Sequence, residues 1–405
     1  MTKEHTEKKL LYTVYFVYFF CGLAMCLEGS FMPEFKEHFN LNYQQQMYII
    51  FAKNIPFVMF SLLIGLLSKK AGFKSCLMIA MFLFAAGTAL IIPGMVNSSF
   101  TLLIIAFFII GTGFNFELVA GNPLLTGLGN PAGSSSRLNL GNALGAIAQI
   151  LGPVIIVLII PSGIVSVSER IPYINGLFIT IAVILAATGV ILSLLKDINT
   201  SSVLDSLQKN EEMGMKKSIF RNKRLILGFL AIFIVLGAES GIFGLYRNFL
   251  EDPQIGSLSS NKSYILYTVY FALFALGRFA GSYLQKKVKP ALTMVFCVTV
   301  AMVLLFIMIM TKGITSVIAI TMLGFFISIF FPTLYALSIE GLGEDAAMAS
   351  GLLTMGFLGA AILPVIQGKV ADWLGLKYSF IISILTYSYI LYFSLQDLKS
   401  SQIKN

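Results

Sequence analysis

Apolar runs long enough to cross a bilayer alternate with short polar breaks twelve times along the chain: Leu10–Phe31, Met47–Leu67, Cys76–Pro93, Phe100–Leu125, Leu138–Ile160, Ile174–Leu195, Leu225–Phe249, Tyr264–Leu284, Ala291–Met310, Ile314–Ile339, Gly351–Val370 and Tyr378–Leu395. A helix needs roughly 20 residues to cross about 30 Å of hydrocarbon. The runs are continuous rather than alternating, which excludes the period-two pattern of a membrane β-barrel. The second six runs echo the first six. "GFNFE" (Gly113–Glu117) recurs as "GFFIS" (Gly324–Ser328), and "GAIAQILGPVI" (Gly145–Ile155) as "GFLGAAILPVI" (Gly356–Ile366), each pair 211 residues apart. The pattern predicts a six-helix bundle over residues 1–195, a cytoplasmic linker over 196–224 and a second six-helix bundle over 225–405. Many transporters are built by such duplication. The linker is the longest polar stretch and reads as a solvated connector with a short amphipathic helix.

Composition sharpens this picture. An apolar fraction of 57% with only 12% charged residues cannot cover a soluble globule of 405 residues, so lipid must be the solvent for most side chains. If both termini are cytoplasmic, the basic residues crowd into the inner loops and tails, leaving Lys36, Arg170, Arg247, Lys262, Lys312 and Lys377 for the outer loops. That asymmetry follows the positive-inside rule. It accounts for the net charge of +9 by attraction to anionic inner-leaflet lipid, and implies no nucleic-acid partner. The first run is too long for a cleavable signal and is kept as the first span. Cys21, Cys26, Cys76 and Cys297 show no C-x-x-C spacing and read as packing residues. The only histidines are His5 and His38, and neither a metal-ligand cluster nor a nucleotide-binding motif occurs. The reading is therefore of a non-enzyme without cofactor or metal, powered by a gradient.

Several motifs carry a family resemblance. "GLLSKKAGFK" (Gly65–Lys74) lies between the second and third spans and "GRFAGSYLQKKVKP" (Gly277–Pro290) between the eighth and ninth. Both resemble the Gly-rich basic loop signature of the major facilitator superfamily, although Lys69 stands where the signature has an acid. "ELVAGNPLLTGLG" (Glu117–Gly129), "RLNLGNALGAIAQILGP" (Arg137–Pro153), "LGAESG" (Leu236–Gly241), "SIFFPTLYALSIEGLG" (Ser328–Gly343) and "SGLLTMGFLGAAILPVIQGKVAD" (Ser350–Asp372) resemble its fucose permease branch, the fucose–galactose–glucose:proton symporters. The similarity runs in order from the first span to the eleventh. It implies an all-α membrane protein of twelve transmembrane helices in two pseudo-symmetric bundles. It also implies proton symport of a small polar solute, a sugar, by alternating access. There are departures. Glu117 lies five residues before Asn122, and Glu28 five before Pro33, where the branch has four in both places. One residue turns a helix by about 100°, and a π-bulge near Gly121-Asn122-Pro123 is one way to re-aim Glu117. Gly145 and Asn142 replace an Asn and a Gln of the fifth span.

Charges within apolar helices cost roughly 2.5–3.5 kcal/mol even on the lenient insertion scale, so Glu28, Lys53, Glu117 and Glu239 must face protein or water. Glu28, Glu117 and Glu239 are the candidates for proton coupling. The structural alternative is ion pairing and, for Glu239, support of a broken seventh helix. Lys53 is expected to pair with Glu28 or Glu117, against the alternative of a lysine that snorkels to the surface. Candidate substrate ligands are Lys53, the amides Asn122, Asn139, Asn142 and Gln149, and the aromatic side chains Tyr246, Tyr267, Tyr270, Phe331 and Tyr335, because sugar sites use amides and ring faces. Packing is the competing role for the aromatics. Arg278 reads as part of the loop signature. Asn122-Pro123, Pro56, Pro153, Pro332 and Pro364 mark either a polar path or kinks in gating helices. The competing functions are export of amphipathic compounds and non-transporting sensing. The implied partners are a sugar-like solute, protons and lipid. The expected state is a monomer, in the cytoplasmic (inner) membrane if the source is bacterial, with both termini cytoplasmic.

Overall fold

The computed structural model describes residues 3–128, 134–161, 163–164, 166–195, 222–285, 287–339 and 352–403. These residues form helices, and no strand occurs among them. Twelve helical segments among them are long and apolar enough to span a membrane: Glu7–Cys26, Tyr43–Ser68, Phe73–Val96, Phe100–Leu125, Leu140–Ile159, Val167–Leu194, Lys223–Glu251, Ser260–Leu284, Pro290–Met310, Ile314–Ile339, Leu352–Leu374 and Leu376–Lys399. Three helix starts among the described residues are capped by a side chain. Ser99, Ser166 and Asn222 each accept a backbone N–H of the first turn through the side-chain oxygen, as N-caps do. The loop signature after the second span turns at Gly72 with φ of 81°, a conformation that favours glycine. Its Lys74 donates to the carbonyl of Leu195 at 2.5 Å, holding the end of the sixth span. The expected linker lies, apart from residues 222–224, outside the described residues.

Two expectations need correction. The seventh helix runs unbroken from Lys223 to Glu251, so Glu239 does not support a break. The fourth runs as regular α-helix from Phe100 to Gly127, through Pro123, without the π turn that was to re-aim Glu117.

Contacts divide the chain into two compact units. The first comprises Met1–Glu28, Glu37–Asn40 and Ala52–Glu212; the second comprises Gly29–Lys36, Leu41–Phe51 and Met213–Asn405. The residues around the first turn between spans are thus assigned to the second unit. Within the first unit the third span packs on the fourth and sixth. The first crosses the fifth at Gly22 and Gly145, and the second crosses the fourth at Lys53 and Gly111. Within the second unit the ninth span packs on the tenth and twelfth. The seventh crosses the eleventh at Phe233 and Gly359, and the eighth crosses the tenth at Gly277 and Phe325. The duplication is therefore one of packing partners as well as of motifs.

Candidate functional site

The "GFNFE" motif fixes the fourth span on three neighbours. A methyl group at Gly113 would lie 3.0 Å from the Ala80 carbonyl oxygen of the third span. Asn115 is fully buried; its Nδ2 donates to the Pro56 carbonyl at 2.8 Å and its Oδ1 accepts from Ser61 at 2.9 Å, both on the second span. Glu117, 3% exposed, is within electrostatic range of Tyr18 and Cys21 on the first. The Tyr18 hydroxyl donates to Asn122 Oδ1 at 2.6 Å. Glycines seat the Tyr18 ring. A methyl at Gly121 would lie 3.0 Å from it and one at Gly141 3.3 Å, so the Gly-Asn-Pro sequence serves both the ring and its hydrogen bond. In the first unit, then, the structure gathers a buried carboxyl, a phenol and an amide. Such a set can hold a proton and exchange hydrogen bonds with a polyhydroxyl solute.

Other candidates are placed differently. Gln149 contributes its backbone carbonyl, which accepts from Cys26 Sγ at 3.1 Å. Asn142 is exposed and its Nδ2 donates to its own helix at Leu138 O, 3.0 Å away. Lys53 is half-buried on the second span, and among the described ion pairs none joins it to Glu117. The side chains of Glu28 and Asn139 lie outside the described residues.

The second unit has its own polar region. Glu239, 7% exposed, is within electrostatic range of Tyr270, Tyr387 and Arg278. Arg278 stacks over Phe274 at 4.7 Å and donates from Nε to the Ser328 carbonyl at 3.3 Å. The second copy of the motif thus ends in a serine beside an arginine where the first ends in Glu117. Glu239 Oε1, Tyr270 OH, Tyr387 OH and Gln367 Nε2 are buried without a hydrogen-bond partner among the described residues. Of the aromatic candidates, Tyr246, Tyr267 and Tyr270 form one cluster, with ring centroids 4.8 to 6.4 Å apart. The Tyr246 hydroxyl is committed to Thr321 at 2.8 Å and to Leu266 O at 3.2 Å. Phe331 and Tyr335 form a separate pair, 6.0 Å apart.

Arg170 and Arg247, expected in outer loops, are instead buried within helices. Arg170 donates to the Ile164 carbonyl through Nε and Nη2. Arg247 is fully buried against Glu34. A buried guanidinium whose donors find acceptors can continue a helix inside the protein.

The chain matches the Major Facilitator Superfamily over residues 14–364. It is 30% identical over 386 residues to a glucose/galactose transporter of Brucella abortus, covering 95% of this chain and 93% of that one. It is 26% identical over 379 residues to the L-fucose-proton symporter of Escherichia coli, covering 89% and 86%. Among solved structures it is similar to the superfamily transporter FucP in the outward conformation, with a TM-score of 0.67, 23% identity, and 97% and 99% of the two chains covered. It is also similar to a bacterial homologue of the lysosomal transporter Spinster, with a TM-score of 0.76, 13% identity and 98% of each chain covered.

Proposed function

Because the chain belongs to the major facilitator superfamily, we propose that it is a secondary active transporter that moves a monosaccharide together with protons by alternating access. The similarity along 95% of the chain to a protein named as a glucose/galactose transporter carries this reading, and the likeness to a fucose–proton symporter supports the coupling ion. Glu117 is the proton carrier, assisted by Glu28 and Glu239. Tyr18 and Asn122 bind sugar hydroxyls; Asn139, Asn142, Gln149 and Lys53 are further candidate ligands. In the second unit Tyr267 and Tyr270 are candidate ring faces for a sugar, with Tyr246 holding their cluster, and Phe331 with Tyr335 is a separate candidate pair. The protein acts as a monomer in the cytoplasmic membrane with both termini inside, the orientation that the basic loops favour. Purified protein in liposomes with an imposed inward pH gradient should accumulate labelled glucose, galactose or fucose. Accumulation under a sodium gradient alone, or of none of these sugars, would refute the reading.

A further inference from the structure

Gly29–Lys36 and Leu41–Phe51 are fixed in the second unit by buried apolar side chains and by a charged cluster. All five guanidinium donors of Arg247 are engaged. Nη1 donates to Glu34 Oε2 at 2.7 Å and to the Ser30 carbonyl, Nη2 to Glu34 Oε1 at 3.2 Å and to Glu251, and Nε to Ser263 Oγ at 3.0 Å. The Tyr264 hydroxyl donates to Glu34 Oε1 at 2.7 Å, and its ring centroid lies 3.6 Å from the guanidinium carbon. Glu34 is 1% exposed. Nearby, Gln46 Nε2 donates to Asn248 Oδ1 at 2.7 Å. Asp372 accepts from the backbone N–H groups of Tyr43 and Gln44 at 2.7 and 2.9 Å, capping the second span with a negative charge where the helix dipole favours one.

Arg247 thus faces two carboxylates, Glu34 and Glu251, so the fully ionised cluster carries one excess negative charge. We propose that it is an acid-released latch, which holds Gly29–Lys36 and Leu41–Phe51 to the rest of the second unit while Glu34 is ionised and lets go when Glu34 takes a proton. Ion pairs withdrawn from water hold only while each charge keeps its partner, and Glu34 is the member contributed by the turn after the first span. Burial alone pushes the Glu34 carboxyl up, but the Arg247 charge and the hydrogen bonds from Arg247 and Tyr264 outweigh it and hold the group below its ordinary value of 4.5. The charged and titratable groups facing it are Arg247, Glu251 and Tyr264; Lys36 is held apart over the Tyr43 ring. A depressed value in the latched form means that the latch is at full strength above the ordinary carboxylate range and weakens as pH falls through that range. The released form takes up the proton that the latched form refuses. In a proton symporter, acid outside would therefore free these segments from the rest of the second unit. That use rests on the transport reading, but the latch itself does not.

The test is labelling without substrate. Met47 is fully buried, against Gly244. In a protein with Cys21, Cys26, Cys76 and Cys297 replaced by alanine, Met47→Cys should react slowly with a membrane-impermeant maleimide at neutral pH, relative to an exposed Ser259→Cys control. Glu34→Gln, which mimics the protonated acid, should speed labelling several-fold, and Arg247→Met about tenfold or more. The swap Glu34→Arg with Arg247→Glu should restore slow labelling, which separates lost pairing from misfolding. Between pH 7 and pH 4 the parent's melting temperature should fall more steeply than that of Glu34→Gln. Unchanged labelling in Glu34→Gln and Arg247→Met, failure of the swap to slow it, or parallel pH profiles would overturn the latch. Absent sugar uptake with these results intact would count only against the proposed substrate.

Discussion

Gly22→Ala is the perturbation whose cost can be worked out most directly from the structure. The added methyl would lie 2.7 Å from Gly145 Cα and closer still to its carbonyl oxygen, whereas carbon atoms rest about 3.5–4.0 Å apart. Both partners are backbone, so no side chain can swing away. The first and fifth spans must separate by about 1 Å at their crossing. Overpacking costs about 1–3 kcal/mol, and a rigid neighbour places this site at the upper end. Alanine returns about 1 kcal/mol through helix propensity. A net loss of about 2 kcal/mol remains, or about 4–8 °C of melting temperature for a unit of 150–250 residues. Gly359→Ala is the counterpart in the second unit, where the methyl would lie 2.6 Å from the Phe233 carbonyl carbon. Gly65→Ala is the control, because a methyl there meets nothing within 4 Å; it should leave the melting temperature unchanged or raise it. The four buried cysteines allow unfolding to be followed with a thiol-reactive dye in detergent. If Gly22→Ala and Gly359→Ala melt no lower than Gly65→Ala, the repeated close crossing is wrong.

Further outcomes follow from the site. Glu117→Gln should abolish sugar accumulation driven by a pH gradient yet spare exchange of sugar across the membrane, since exchange needs no return of an empty, deprotonated carrier; wild-type accumulation in vesicles bearing the variant would remove Glu117 from coupling. Tyr18→Phe removes a hydroxyl proposed to bind sugar, a hydrogen bond worth about 1 kcal/mol, so the KM for sugar should rise about fivefold, and the lost bond to Asn122 should lower the melting temperature as well. Tyr246→Phe should lower the melting temperature alone and leave the KM near wild type, because its hydroxyl is spent on Thr321 and Leu266; a raised KM with unchanged melting would reverse that assignment.

The spans were legible in the sequence because burial in lipid needs only a run of apolar residues of the right length, and Gly113 and Gly145 exposed the duplication because close crossings demand glycine in both halves. Glu117 stood out as a charge that lipid penalises. Its partner Tyr18 did not, since it sits in a run of aromatics, "YTVYFVYFF", and only the seats at Gly121 and Gly141 single it out. Arg247 and Glu34 are 213 residues apart. No local periodicity joins residues so distant, and Arg247 alone looked like an outer-loop charge. Tyr387 and Gln367 were equally hidden, because one tyrosine among several in a span, or one glutamine near a span end, carries no signal until neighbouring helices bury it.

Sugar-induced proton movement tests the central claim most directly. With the protein in lightly buffered vesicles and no imposed gradient, adding the transported sugar outside should draw protons inward with it and make the medium more alkaline, in proportion to the sugar taken up. Glu117→Gln should show no such change. Sugar entry without any pH change, or with acidification of the medium, would contradict proton symport.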